Sequence, residues 1–284
     1  MPPIAWHQCT WNAFPFWFTK GAPVNRTVAQ HARRAYYAAT SFADHLVGRV
    51  LDTIAELGVE DRTIVLLVGD HGWQLGEHNE WGKQTVFETA TRIPFLVKDP
   101  RHLPGRTQAF AELIDLYRTL ADLAGAPDPE PGVQGASLAP VVRGTASAPN
   151  ETGWKTAAFT QMARCFGGKA GDGNDTYTSY EKPDACTSVA PTDIEYMGYS
   201  IRTLDWRYTE WVAWSGSELR PMWEKLNATE LYRHTPTAEH GVNDFDFWEN
   251  ENLSGETIYA GVMSALSKKL RAHAEENLPQ QEAR

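Results

Sequence analysis

Between residues 69 and 83 the chain reads GDHGWQLGEHNEWGK, which sets one Asp, two His, two Glu and one Lys among four glycines. Asp70 is a hard oxygen ligand suited to Ca²⁺ or Mg²⁺, and His71 beside it can give a metal a nitrogen ligand or give a substrate a proton. Lys83 is a compact point charge for an anionic group. Glycines at 69, 72 and 76 let backbone approach a ligand closely. Together these types describe a divalent cation next to a bound oxyanion. The same residues also admit a plain account: Asp70 capping the amides of an ordinary turn, His78 packed structurally between Glu77 and Asn79, and Lys83 solvated at the surface.

The flanking elements decide whether such a cluster can converge. Apolar residues recur at spacings of three and four from Val28 to Leu57, which predicts one long helix over 27–57, stopped by Gly58. Thr63 to Val68 is a short β-branched and aliphatic run, read as a buried parallel strand. Asp70 and His71 then fall just beyond its C-terminal end, where open α/β sheets bind ligands. Ile93 to Val97 is a second strand, and residues 109–124 form a helix ended by Gly125 and Pro127. Residues 125–152 are rich in Pro, Gly, Ala and Ser and mark a domain edge. Beyond them, Ala157–Gln161, Tyr199–Thr203 and Arg207–Ala213 read as strands, the last two as a hairpin. An amphipathic helix over 256–275 follows. The expected class is α/β in residues 1–145, followed by a small antiparallel α+β unit in 146–284.

Composition narrows the partners. The 284 residues carry 26 Lys and Arg against 36 Asp and Glu, a net charge of −10, which argues against a nucleic-acid or anionic-membrane surface. The longest aliphatic run, Ile64–Val68, is far short of the roughly 20 residues of a membrane helix. The N-terminus, MPPIAWHQCTWNAFPFWF, has neither a basic n-region with an apolar core nor a lipidation signal. Three cysteines match no zinc spacing. Cys165 and Cys186 bracket a Gly-rich polar stretch and are either a bridge closing that loop or two unrelated thiols. Sequons at Asn25, Asn150, Asn174, Asn227 and Asn252 are a weak sign of a secretory setting. The aromatic residues Trp6, Trp11, Phe14, Phe16, Trp17 and Phe18 are a packing surface or a sugar-stacking platform.

The run DHGxxLGEHxxWxK from Asp70, then Phe87-Glu88, then Arg92-Ile93-Pro94, resembles the C-terminal metal-and-sulfate motif of the type I sulfatases, in the alkaline-phosphatase-like superfamily. Pro2–Ala5, RRAYYAATSFADHLVGRVL from Arg33, MGYSIRTLDWRYTEWV from Met197 and Glu230-Leu231-Tyr232 resemble the iduronate-type sulfatases in the same order. The resemblance implies an alkaline-phosphatase-like α/β fold with a small C-terminal subdomain. It also implies hydrolysis of sulfate esters, such as 2-sulfated iduronate in glycosaminoglycans, by a Ca²⁺ enzyme in a lysosomal, secretory or periplasmic setting. Asp70 and His71 would be two Ca²⁺ ligands, and Lys83 the sulfate contact. Arg92 follows the general sulfatase pattern rather than the iduronate one.

Those sulfatases use a formylglycine nucleophile made from the cysteine of a C-x-P-x-R motif. Here Cys9 is followed by Thr-Trp-Asn-Ala, Cys165 by Phe-Gly-Gly-Lys and Cys186 by Thr-Ser-Val-Ala. The resemblance therefore places this chain in the C-terminal half of such an enzyme, inactive alone, with the nucleophile and further metal ligands expected on a missing N-terminal half that would be its partner. The rival expectations are a phosphodiesterase or phosphonate hydrolase of the same superfamily, and a non-catalytic pseudo-sulfatase or carbohydrate-binding protein.

Overall fold

A computed structural model describes residues 1–5, 24–127, 129–130, 132–144, 154–165, 189–235 and 249–278. Cys9, Cys186, the sequons at Asn150 and Asn174 and the aromatic group at 6–18 lie outside them. The chain forms two compact units: residues 1–24, 71–92 and 159–284 make one, and residues 25–70 and 93–158 the other. It passes between them after residues 24, 70, 92 and 158, so neither unit is a continuous stretch.

The second unit opens with helix α1, Arg26–Glu56. The Asn25 side chain caps it by accepting from the Thr27 amide, which gives one sequon asparagine a structural task. Gly58 ends it at φ 63°, in the left-handed conformation that glycine adopts without penalty. None of the 31 helical residues is buried, and Phe42 and Val50 on its apolar stripe are 63% and 60% exposed. Strand β1, Val65–Val68, follows. It is neither parallel nor fully buried, contrary to the sequence expectation: it pairs antiparallel with a later strand, Phe95–Lys98, with Leu67 and Leu96 exposed. A short aliphatic run looks the same in either setting, because periodicity over four residues cannot report a partner's direction.

The helix expected over 109–124 starts later than the periodicity suggests. A 3₁₀ turn at Leu113–Asp115 leads into a helix spanning Leu116–Ala124. Asp115 fixes that start. Its buried carboxylate accepts from the Glu112 and Ala136 amides and from Lys155 Nζ.

In the first unit, strands β2, Gln74–Leu75, and β3, Trp81–Gly82, form a minimal hairpin. With Phe95–Lys98 numbered β4, the C-terminal sheet comprises β5, Ala158–Arg164, β6, Tyr196–Arg202, β7, Trp206–Ser215, and β8, Arg220–Arg233, in that order. Strand β8 escaped the sequence reading because its middle, Glu224–Asn227, is exposed and polar but for Leu226, which breaks the alternation.

Alternation gives the sheet two faces. Tyr208 and Glu210 of β7 face the terminal helix, Ala260–Asn277, whose Arg271 donates to Glu210 and whose Leu266, Leu270 and Ala274 are buried. The opposite face carries Arg207, Thr209 and Trp211, with Trp211 in a core with Ile4, Val86, Phe87 and Tyr232. On that face Trp211 Nε1 and the Tyr232 hydroxyl both donate to the buried Glu230 carboxylate. Asn252, another sequon residue, has its amide engaged here: it accepts from the Leu231 and Ser254 amides and donates to Thr229 O.

Gly198 on β6 lies under the Trp211 ring, and a Cβ there would fall 2.5–2.7 Å from three ring carbons. Gly198→Ala is expected to destabilise the chain by about 1–3 kcal/mol through overpacking. Gly261→Ala, in the first turn of the terminal helix with nothing within 4 Å, should stabilise it by about 0.4–1 kcal/mol. Thermal and urea unfolding of both variants checks the pair. Equal effects would contradict the packing.

Candidate functional site

The β2–β3 hairpin explains the spacing of the motif. Gln74 pairs with Gly82 and Leu75 with Trp81, so the eleven residues between His71 and Lys83 fold back and bring both to the hairpin's open end. The tip is a tight turn with Gly76, His78 and Asn79 all at positive φ. His78 has a packing role here: its ring stacks on Phe87 at 4.1 Å, and its Nε2 meets Glu249 O at 3.1 Å.

At the open end, His71 Nδ1 lies 2.8 Å from Gly72 O. A carbonyl only accepts, so Nδ1 carries the proton and Nε2 presents a lone pair. Lys83 Nζ meets that Nε2 at 2.5 Å, and an ammonium only donates. The structure therefore joins His71 and Lys83 directly, both half-buried. The backbone after Lys83 is held by the Thr85 amide, which donates to Lys83 O, and by the Arg164 guanidinium, which donates to Gln84 O and to the carbonyls of Ile4 and Ala5.

Asp70 is the last residue of its segment in the other unit. It follows β1, its side chain is exposed, and the preceding Gly69 amide donates to Pro94 O. The motif thus supplies one carboxylate and one imidazole from neighbouring positions on either side of a crossing between units. For a divalent cation the donor types fit in part. Asp70 offers the hard oxygen Ca²⁺ prefers. His71 has its lone pair on the nitrogen not tied to the backbone, although a cation there would take the place of the Lys83 ammonium.

A second set of candidate ligands went unrecognised in the sequence. Glu88, His234 and Glu249 are all buried and offer ligand atoms within 4.8 Å of one another, close enough for a metal ion. Here the two carboxylates are engaged by arginines, and His234 by Glu249. Glu88 belongs to a one-turn helix, Glu88–Thr91, numbered α2. Arg202 and Arg207 face each other across β6 and β7, a like-charge pairing that is unfavourable by itself. The Glu88 carboxylate resolves it by accepting from Arg202 Nε at 2.9 Å and from Arg207 Nη2. Arg207 Nε donates to Glu249 Oε1 at 2.5 Å, and His234 Nε2 reaches the same oxygen at 3.0 Å. The other Glu249 oxygen accepts from the Glu88 amide at 2.6 Å.

With His234 neutral, two guanidiniums balance two carboxylates. Burial alone would push the Glu88 carboxyl up, but Arg207 and Arg202 outweigh it and hold the group down at about 2. Burial likewise opposes the charge on Glu249, yet Arg207 and His234 keep its carboxyl below the usual range. Desolvation pushes His234 down, towards the neutral form. A divalent ion here would sit against the Arg207 guanidinium, so the cluster does not suit one. Glu88 and Arg207 both lie in stretches quoted above for their resemblance, but a sequence does not show which charges pair in a core.

Comparison with known proteins gives this geometry a context. A family model described as Sulfatase matches residues 6–126. Human (Homo sapiens) iduronate 2-sulfatase is 31% identical over 259 residues, covering 78% of this chain and 45% of that protein. A phosphonate monoester hydrolase from Silicibacter pomeroyi superposes with a TM-score of 0.69 at 23% identity, over 95% of this chain and 45% of that one. The chain belongs to the alkaline-phosphatase-like sulfatase superfamily. A further superfamily-like fold, solved in complex with D-glucosamine-2-N,6-O-disulfate, superposes at a TM-score of 0.65 and 21% identity, over 93% of this chain and 46% of that one. The chain spans about half the length of the curated relatives it matches.

Removing the Glu88 charge leaves Arg207 buried with one partner fewer. At pH 7, Glu88→Gln should lower the unfolding free energy by about 3–5 kcal/mol. The Glu88 carboxyl titrates at about 2 in the folded chain against an ordinary 4.5. Its stabilisation is therefore complete above about pH 4.5 and is lost as pH falls towards 2, so the gap between wild type and variant should close across that window. Denaturant unfolding at stepped pH checks this. A gap independent of pH would contradict the assignment.

Proposed function

We propose that this chain supplies the oxyanion- and cation-binding residues of a hydrolase that cleaves monoesters of a tetrahedral oxyacid. The observation that carries it is the meeting of a proton-bearing Lys83 with the lone-pair nitrogen of His71, in a hairpin that follows directly on Asp70. Lys83 brings a single positive charge, matched to the single negative charge of a sulfate ester or a phosphonate monoester. That match does not separate the two esters. The names of the sequence relatives favour sulfate on a sugar, such as 2-sulfated iduronate, and the disulfated glucosamine bound to a protein of similar fold points to carbohydrate too. The phosphonate reading has its support in the likeness to the Silicibacter hydrolase, a likeness of fold. A non-catalytic carbohydrate-binding role would leave the Asp70–His71–Lys83 set without a task.

In this account Asp70 and His71 would hold a divalent cation, Ca²⁺ by resemblance. Such an ion polarises the ester's oxygens and lowers the pKa of a nucleophile. With a cation on His71, the Lys83 ammonium would be available to an oxyanion and would offset charge on the transferring group. The Gly72 carbonyl keeps the His71 proton on Nδ1. The nucleophile and the remaining metal ligands are assigned to polypeptide outside this sequence.

The test is hydrolysis of 4-nitrophenyl sulfate and of a 4-nitrophenyl phosphonate monoester by the natural protein that carries this chain, before and after removal of divalent ions with EDTA. Asp70→Asn and Lys83→Ala should each lower kcat/KM at least about a hundredfold and leave the thermal midpoint nearly unchanged. Calcium should restore the EDTA-treated wild type. Wild-type turnover in either variant refutes the assignment, and the ratio of the two substrates decides between sulfate and phosphonate.

A further inference from the structure

The buried ion network and the His71–Lys83 pair are linked by one continuous path within the same unit. Glu249 Oε2 accepts from the Glu88 amide and so caps the start of α2. Arg207 Nη2 grips the other end of that turn, donating to Thr91 Oγ1 at 3.1 Å as well as to the Glu88 carboxylate. The turn in turn holds the loop before the hairpin: the Gly72 amide donates to Ala90 O at 2.8 Å. The approach is so close that a Cβ on Gly72 would fall 2.0 Å from Thr89 O. The carbonyl of this same Gly72 accepts the His71 Nδ1 proton. Glu249 also anchors the hairpin tip, its backbone oxygen receiving His78 Nε2.

We infer that Arg207 and Glu249 are positioning residues for His71: by clamping α2 they hold Gly72 where its carbonyl keeps the imidazole proton on Nδ1 and the Nε2 lone pair towards Lys83. Neither residue touches the ligands proposed above. A surface loop of this length would leave the imidazole to sample both tautomers, whereas a loop bonded to a turn that is locked at both ends by buried charges does not. The network thus sets which nitrogen of His71 is available for a cation and for the Lys83 ammonium. The inference rests on the functional reading for its consequence, but not for its test, since the tautomer of His71 is measurable with no ester or metal present.

The experiment records imidazole ¹⁵N chemical shifts of His71 in the histidine-labelled chain, assigned by loss of the signal in His71→Gln. Wild type should show one tautomer, with the proton on Nδ1. Glu249→Gln, which keeps the shape but weakens the hold on Arg207, and Thr91→Val, which removes one Arg207 contact at constant volume, should both mix the tautomers of His71. Gly72→Ala should do the same with the ion network intact. Leu270→Ala, at a buried position of the terminal helix, is the stability control and should leave the shifts unchanged. A single Nδ1–H tautomer retained in Thr91→Val and in folded Glu249→Gln would overturn the inference. If Glu249→Gln does not fold, Thr91→Val against Leu270→Ala decides alone. Failure of the hydrolysis test with a positive tautomer result would sink the functional reading only, and the reverse outcome the positioning role only.

Discussion

A guanidinium shut away from water has to be matched by carboxylates at hydrogen-bond distance, and the C-terminal sheet is built around the buried Arg207 and its half-buried neighbour Arg202. Arg202 and Arg207 stand opposite each other on neighbouring strands, an arrangement tolerable only because Glu88 reaches between them. That requirement fixes Glu88, and through its backbone and the Glu249 carboxylate it fixes the turn Glu88–Thr91 as well. Desolvation makes the constraint stiff in both directions: paired, the charges hold one geometry, and with one partner removed they are strongly destabilising.

The rest of the site follows from where that turn is held. Gly72 rests on it by a hydrogen bond from its amide and by a contact that no side chain could share, and the hairpin returns Lys83 to the same place. Arg164 adds a separate restraint, tying the backbone beside Lys83 to the carbonyls of Ile4 and Ala5. Asp70 is held differently, by the β1–β4 ladder of the other unit. Asp70 and His71, adjacent in sequence, therefore belong to different compact units.

Much of this was legible from residue types. The motif at 69–83, the long helix with its glycine stop, the strands at the centre of β6 and β7 and the terminal helix all follow from local periodicity and turn chemistry. What was not legible depends on partners distant in sequence. The direction of β1 is set by β4, nearly thirty residues away. Strand β8 hides behind an exposed polar middle. The sequons at Asn25 and Asn252 read as modification signals, yet both side chains serve as local hydrogen-bonding caps. The cluster of Glu88, Arg202, Arg207, His234 and Glu249 is spread over 162 positions of the chain, and nothing in the separate residues announces that they neutralise one another.

The most direct measurement of the central claim is native-state amide hydrogen exchange resolved at Gly72 and Glu88. If the buried arginines hold the loop as described, these two amides should exchange only with the opening of the sheet, at the protection of Trp211 and its β7 neighbours and with the same denaturant dependence. Exchange of Gly72 and Glu88 by local fluctuation, orders of magnitude faster than a protected β7, would show that the sheet's ion network does not reach the site.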